Sequence, residues 1–390
     1  MIGAADLLTR LLGLGVSDVS GVPCSYLTPV INQVIADPRV RYLPVSQEGE
    51  AVSIAAGSWL AGGLGCAIAQ NSGLGNMVGP LTSLLHPARI PAVLVVTWRG
   101  QPGRPDEPQH TQMGQITPAL LELLSIGHAV LPDSPEALTP VFDRARTHLH
   151  ARSEPWTFVL AQDTVAPEPL VEPEPVRREG VLHRYAGTSR PHADRPSRQA
   201  ALERILAAVP EHAGVVSTTG WTSRELFTLD DRPQHFYLVG AMGSAATVGL
   251  GVALHTDRPV VVVDGDGALL MRLGSLATVG AAAPPGLVHV VLDNGRHDST
   301  GGQRSLAGHV DLPAVAAACG YARVHACGDL GDLSAALEAG LAGRGPTLVH
   351  LRTSPGRMRA LGRPTIGPAD VARRFREFVT ADSLAPAGSR

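Results

Sequence analysis

A Gly-Asp-Gly triplet at residues 265–267, followed after a 26-residue gap (268–293) by Asn294, carries more chemical information than any other part of this sequence. Four valines, Val260–Val263, lead into the triplet, and the apolar run Leu287-Val-His-Val-Val-Leu292 leads into Asp293-Asn294. Both runs read as buried parallel strands. Side by side, they would deliver a carboxylate and a carboxamide to their carboxyl ends, where open α/β sheets bind ligands. Asp266, Asn294 and a loop carbonyl make a hard oxygen set, suited to Mg²⁺ that leaves part of its shell to phosphate oxygens. Gly265 and Gly267 let backbone amides approach such oxygens with no side chain between. A Gly-Asp-Gly turn after a strand is common by itself; the two strands and the distant Asn carry the signal.

Other polar loops fall where strands should end. Ser46-Gln-Glu-Gly-Glu50 follows the strand candidate at 40–45 and opens a helix over 48–61, offering Glu48 as an acid. A plain acidic residue favoured by the helix dipole explains Glu48 and Glu50 equally well. Gln70-Asn-Ser-Gly-Leu-Gly-Asn76 is a glycine-rich strand-to-helix turn containing Asn71, Ser72 and Gly73. Ser217-Thr-Thr-Gly-Trp-Thr-Ser223 puts Thr218, Thr219 and Gly220 ahead of a helix, an arrangement that suits a diphosphate and also suits ordinary capping. Gly240-Ala-Met-Gly243 interrupts the chain before an Ala/Gly-rich helix at 244–254 and offers Met242, whose alternative use is core filling.

The elements that must position these loops form two α/β units. The chain has 390 residues, 44% hydrophobic and 17% charged, enough for two domains with ample core. The first spans 1–162, with strand candidates at 40–45, 66–69, 92–97 and 156–160 and a second helical stretch at 118–124. Residues 163–196 are rich in proline and charge and read as an extended linker. The second domain spans 197–380, with strands at 214–217, 260–263, 287–292 and 347–351 and a frayed tail beyond. The expected fold class is thus α/β, two doubly wound parallel-sheet domains with no middle domain.

Composition excludes several functions. A net charge of −3 argues against nucleic acid as a partner. No apolar run approaches membrane-spanning length. The first ten residues, with Asp6 and Arg10, read as an amphipathic helix and not a signal peptide. Four cysteines without a Cys-x-x-Cys pair point to the cytoplasm and to no thiolate zinc site. The sequence has no lysine, so Schiff-base catalysis and a P-loop lysine are ruled out.

The Gly-Asp-Gly…Asn pattern resembles the cofactor motif of the thiamine diphosphate enzymes. That resemblance implies thiamine diphosphate and Mg²⁺ as cofactors, with the metal on Asp266, Asn294 and the carbonyl of Arg296. It implies that Gly265, Gly267 and Ala268 face the diphosphate together with Thr218, Thr219 and Gly220, and that Met242 props the cofactor so its rings face each other. It places Glu48 against the aminopyrimidine, stabilising the imino tautomer that activates the thiazolium carbon, with Asn71, Ser72 and Gly73 beside it. Two domains without a third match the minimal form of the family, whose active unit is a homodimer or an assembly of dimers with sites at the subunit interface.

Three segments narrow the resemblance to the subgroup that decarboxylates phosphonopyruvate, with the sulfopyruvate decarboxylases beside it. They are Gly21-Val-Pro-Cys-Ser25, the loop from Thr97 to His110, and Asn294-Gly-Arg-His-Asp-Ser-Thr-Gly-Gly-Gln303. A small anionic 2-oxo acid is then the implied substrate, 3-phosphonopyruvate first among the candidates, in phosphonate biosynthesis. Ser25, Arg99 and Arg104 are candidates for its charged ends, Arg304 a weaker one. His110 and His297 are candidate proton donors, with a structural imidazole as the alternative for each. Residues 100–114 are expected to form a lid or lining loop. Cys24, Gln101 and Trp221 depart from the pattern. Sulfopyruvate decarboxylation, carboligation and a non-catalytic binding protein are the competing readings.

Overall fold

The computed structural model describes residues 1–188 and 191–381. The chain divides into two compact units, Met1–Trp59 with Gly63–Pro175, and Leu60–Gly62 with Val176–Arg390.

The first unit is a six-stranded parallel sheet built from β1 (Asp18–Gly21), β2 (Arg41–Pro44), β3 (Gly65–Ala69), β4 (Val93–Thr97), β5 (Gly127–Val130) and β6 (Trp156–Leu160), in the order β2-β1-β3-β4-β6-β5. Strands β3, β4 and β6 are buried along their whole length, as strands covered by helices on both faces must be. The helix Ala4–Gly13 turns Leu7, Leu8 and Leu11 inward, as its amphipathic pattern required. From β1 the chain moves out to the edge, and from β3 it moves the opposite way. The sheet therefore has a topological switch point between β1 and β3, with a crevice at their carboxyl ends.

The second unit is a seven-stranded parallel sheet of β7 (Val181–Arg184), β8 (Gly214–Ser217), β9 (His235–Tyr237), β10 (Val260–Gly265), β11 (Leu287–Asp293), β14 (Arg323–Cys327) and β15 (Thr347–Arg352), plus a two-stranded hairpin, β12 (Arg296–His297) and β13 (Gln303–Arg304). The order is β7-β14-β15-β11-β10-β8-β9. Its switch point lies between β8 and β10, because β8 leads to β9 at the edge while β10 leads to β11 on the other side. Strands β10 and β11 pair in parallel from Val260↔Leu287 to Gly265↔Leu292, so the two apolar runs do end side by side.

Three differences from the sequence expectation have physical causes. Strand β1 is fully buried yet half polar; Asp18 is accommodated by hydroxyls of Ser17 (3.2 Å) and Ser58 (3.0 Å), so no apolar run announces it. The helix expected to begin at Pro118 begins at Thr111 and runs through the proline. Pro118 has no N–H for the carbonyl four residues back, and the freed Gly114 carbonyl accepts the Trp98 indole N–H at 2.7 Å instead. Third, the stretch read as linker contains β7, an exposed edge strand parallel to β14, and its start is bridged by Val165 to Ile2. The tail beyond Ala381 lies outside the described residues. No helix among the described residues is long and apolar enough to cross a membrane.

Candidate active site

At the switch point of the second unit, three strand ends converge on one open cleft. After β8 come Thr218, Thr219 and Gly220; after β10, Gly265, Asp266, Gly267 and Ala268; after β11, Asn294, Arg296 and His297; Met242 also lines the cleft. Every second-unit residue singled out from sequence for cofactor, metal or proton transfer is therefore on one surface. Gly220 has φ +94°, a left-handed conformation that lets the chain turn from β8 into the helix Trp221–Leu229. The His297 ring packs onto Gly267, where a methyl group would come within 2.6 Å of the imidazole.

The acidic groups here are set apart by their surroundings. Asp266 is buried, and burial, with the charge of Asp293, pushes its pKa up to about 6. The Ser305 hydroxyl and the Gly267 amide hydrogen-bond it and partly offset that rise. Burial also works against Asp293, but His350 (3.1 Å) and the Arg352 charge hold it below its ordinary value. The Asn294 carboxamide is fixed by two bonds: its nitrogen donates to Asp298 (2.8 Å) and its oxygen accepts the Arg296 amide (2.9 Å). Asp298 also accepts the Gly356 amide at 2.9 Å.

Asp298 and Ser305 were not foreseen. Both belong to the segment around the β12–β13 hairpin, and each reaches one of the two expected side-chain metal ligands. Ser305 closes the base of that hairpin, its amide donating to the Gly295 carbonyl at 2.9 Å. A further unforeseen group is the buried pair Arg198–Glu225, joined by two bonds of 2.9 Å. Arg198 lines the cleft and lies 5.7 Å from the Trp221 ring centroid. No local pattern marks Ser305 or Arg198, because their partners are distant in the chain, whereas Asp298 lies only four residues from Asn294.

The donor set fits a metal-bound diphosphate. The Thr218 hydroxyl is buried in the cleft wall with no partner among the described residues, and so is ready for a phosphate oxygen. The carboxylate and carboxamide supply hard oxygens; among the described residues no group of three or more His, Cys, Asp or Glu side chains is placed to hold a metal ion.

At the switch point of the first unit, the loops after β1 and β3 face each other. The Cys24 thiol lies 3.4 Å from Gln70 Oε1 and 3.6 Å from the Thr97 hydroxyl. Glu48 opens the helix Glu48–Leu60, half-buried, and accepts the Asn76 carboxamide at 2.7 Å. Its carboxylate lies over Gly73, where a methyl group would meet Oε1 at 2.5 Å. Neighbouring Glu50 is fully buried and takes the Ser46 hydroxyl at 2.6 Å, so the two glutamates have different surroundings despite their spacing. Asn71 donates to the Arg99 carbonyl (2.8 Å) and to Thr117 (3.0 Å), while Ser72 accepts from Gln70 (2.7 Å).

The long loop after β4 is internally braced. Arg99 donates to Asp106 (2.5 and 2.8 Å) and to Ser25 (3.1 Å) and stacks on Tyr26. Arg104 is not gathered with them: it is exposed and donates to the Gln162 carbonyl at 3.2 Å. His110 is buried in the turn Pro108–His110, and Thr111–Gly114 already belong to the following helix. Gly100 lets the loop return, since any side chain there would collide with the His110 carbonyl.

Comparisons with known proteins agree with this geometry. Residues 1–119 match the family model described as thiamine pyrophosphate enzyme, N-terminal TPP binding domain, and residues 214–351 match the C-terminal TPP binding domain. The chain is 65% identical over 389 residues to phosphonopyruvate decarboxylase of Streptomyces viridochromogenes, covering 100% of this chain and 97% of that protein. It is 28% identical over 372 residues to sulfopyruvate decarboxylase of Methanosarcina acetivorans, covering 93% and 94%. Among solved structures, the thiamine diphosphate-dependent 4-hydroxybenzoylformate decarboxylase of Rhodococcus jostii RHA1 has the same fold, with a TM-score of 0.69 at 14% identity, over 92% of this chain and 100% of that one.

Proposed function

The chain belongs to the phosphonopyruvate decarboxylases within the thiamine pyrophosphate enzyme family, and from that premise we propose how its residues divide the work. The reaction breaks the C1–C2 bond of 3-phosphonopyruvate and releases CO₂; a proton takes the vacated place on C2, and phosphonoacetaldehyde leaves. Thiamine diphosphate, when bound, supplies a nucleophilic carbon for the ketone and a ring that accepts the electron pair left by CO₂.

The protein's own groups do the rest. Asp266, Asn294 and the Arg296 carbonyl would hold Mg²⁺. Thr218, Thr219 and the Ala268 amide would hold the diphosphate; Gly220, Gly265 and Gly267 keep that surface open, and Met242 would support the cofactor. Glu48 holds a proton at the aminopyrimidine nitrogen, with Asn71, Ser72 and Gly73 lining the same loop. Ser25 and Arg99 receive the charged substrate, Arg104 stands apart from them on the exposed side of the loop, and His110 or His297 delivers the proton to C2. Two copies of the chain are the smallest working form. Physiologically the enzyme serves phosphonate biosynthesis, where irreversible loss of CO₂ draws forward an unfavourable carbon–phosphorus bond-forming step.

The observation that carries this reading is the convergence of Asp266 and Asn294, from separate strands, on a cleft whose buried Thr218 hydroxyl lacks a partner. The test is CO₂ release by the purified protein with added thiamine diphosphate and Mg²⁺, from 3-phosphonopyruvate, sulfopyruvate and pyruvate. Highest kcat/KM for phosphonopyruvate, abolished by EDTA, supports the proposal. A preference for sulfopyruvate overturns the substrate, and activity that survives chelation overturns the metal.

A further inference from the structure

Deepening the substrate assignment above, and resting on it, we propose that Asp106 is a positioning residue for the phosphonate end of the substrate, acting through Arg99. The Asp106 carboxylate gathers five donors from four residues around the loop after β4. They are Arg99 Nη2 (2.5 Å), Arg99 Nε (2.8 Å), the amides of Gly100 (2.7 Å) and Glu107 (2.8 Å), and the Tyr26 phenol (3.2 Å). The Arg99 guanidinium carbon lies 4.6 Å from the Tyr26 ring centroid. One edge of the guanidinium is thus spent on Asp106 and one face on the ring.

What remains is Nη1, directed to the hydroxyl of exposed Ser25 at 3.1 Å. Ser25 accepts that bond and keeps its own O–H free to donate. Nη1 has a second N–H. The result is two donors side by side, a match for two oxygens of one tetrahedral anion. Because Asp106 already balances the charge of Arg99, recognition rests on where the donors point more than on net charge. Arg99 holds Asp106 well below the ordinary carboxylate range, so the brace does not come and go near neutral pH.

The chemistry selects which end of the substrate this pair takes. The carboxylate must leave as CO₂, and a firm grip on its charge would oppose that departure; the phosphonate does not react and can be held tightly throughout. A loop braced at its centre is also a preformed wall, not a lid.

The experiment compares steady-state kinetics on 3-phosphonopyruvate and pyruvate for the wild type, Asp106→Asn, Arg99→Lys, Arg99→Met and the Asp106→Asn/Arg99→Met double variant. Asp106→Asn should raise the KM for phosphonopyruvate roughly ten-fold or more with kcat changed far less, and move the KM for pyruvate little. Arg99→Lys should not rescue Arg99→Met, since an ammonium cannot serve Asp106 and Ser25 at once. The double variant should be no worse than Arg99→Met alone. A purely structural role predicts instead that both substrates suffer alike and that the two losses add; either result overturns the proposal, as does an unchanged phosphonopyruvate KM. If Asp106→Asn proves insoluble, Tyr26→Leu removes the ring beneath the guanidinium and must give the same substrate-selective rise. A wild type that turns over pyruvate but not phosphonopyruvate overturns the functional reading itself, and this inference with it.

Discussion

In the first unit, most polar side chains at the carboxyl ends of the strands already hold one another: Arg99 with Asp106 and Ser25, Glu48 with Asn76, the Asn71 amide nitrogen with Thr117, while the Asn71 carboxamide oxygen is buried without a partner among the described residues. In the second unit, the crevice between β8 and β10 has a buried hydroxyl with no partner at Thr218 and a buried carboxylate, Asp266, pushed up to about 6. Polar groups that satisfy each other stabilise the free protein. Polar groups left short destabilise it and are stabilised only when a ligand arrives. The first unit thus presents a largely preassembled wall, and the second a cleft whose unpartnered Thr218 hydroxyl and desolvated Asp266 carboxylate await a ligand.

The largest effect should come from the acid of the preassembled wall. Glu48→Gln keeps the shape and the acceptor for Asn76 but cannot hold the proton that the proposed role requires. Turnover should fall by about 10² to 10⁴, with the melting temperature and cofactor affinity near wild type. Stopped-assay kinetics together with calorimetric titration of thiamine diphosphate measure both; near-normal turnover would remove Glu48 from the mechanism.

A matched pair of substitutions puts the contrast itself at risk. In metal-free protein at pH 7, Asp266→Asn should raise the melting temperature. A shift from 3.8 to about 6 means that the ionised group costs the folded state on the order of 3 kcal/mol, and a neutral amide of the same shape removes that penalty. If Asp266 holds Mg²⁺ as proposed, added Mg²⁺ and thiamine diphosphate should raise the melting temperature of the wild type and not that of the variant. Asp106→Asn should lower the melting temperature, by roughly 2 kcal/mol of stability, because it strips a mostly buried guanidinium of its partner. Shifts of the same sign would show that the two crevices do not differ in this way.

This contrast also explains what could be read in advance. Unbroken runs such as Val260–Val263 and Leu287–Leu292 report burial on both faces, so β10 and β11, and the residues just past them, were legible from residue type alone. So was the helix opened by Glu48. What escaped was whatever depends on partners far along the chain. Ser305 reaches Asp266 across 39 residues and Arg198 reaches Glu225 across 27, and a serine or an arginine in a polar stretch gives no sign of such a bond. The helix through Pro118 was hidden because its defect is repaired by Trp98 from another element. Strand β7 was hidden because it is an exposed edge with little apolar content.

A pH scan should find the next effect in the second unit. The Tyr237 phenol donates to Asp231 (2.9 Å), so His235 Nδ1 must carry the proton it gives Tyr237 (3.1 Å), leaving Nε2 bare, buried and without a partner among the described residues. Protonating Nε2 would bury an N–H and a charge together. Burial, with help from Arg232, lowers the His235 pKa from 6.5 to about 4. The unfolded chain therefore binds more protons than the fold between these values, and stability falls as pH drops through that window, by up to about 3 kcal/mol. Urea unfolding at pH 7 and pH 4.5 should show a smaller loss for His235→Gln than for the wild type; equal losses would mean this imidazole does not report on pH.

The smallest effect bears most directly on the contrast, and it needs the same change made twice. Thr218→Val replaces an unpartnered buried hydroxyl by a methyl group, so the metal-free protein should gain about 1 kcal/mol. Thr117 in the first unit is equally buried, but its hydroxyl donates to the Met113 carbonyl (2.5 Å) and accepts from Asn71 (3.0 Å). Thr117→Val should therefore lose about 1 to 2 kcal/mol, since it breaks both bonds and leaves Asn71 with only the Arg99 carbonyl as acceptor. Cofactor affinity should move the other way for Thr218→Val, weakening by roughly five- to ten-fold as a phosphate oxygen loses its donor. Denaturant melts of both variants, with titration of thiamine diphosphate into each, separate these terms. A Thr218→Val protein that gains no stability and binds the cofactor as before would mean that its hydroxyl is neither strained when free nor used when the cleft is filled.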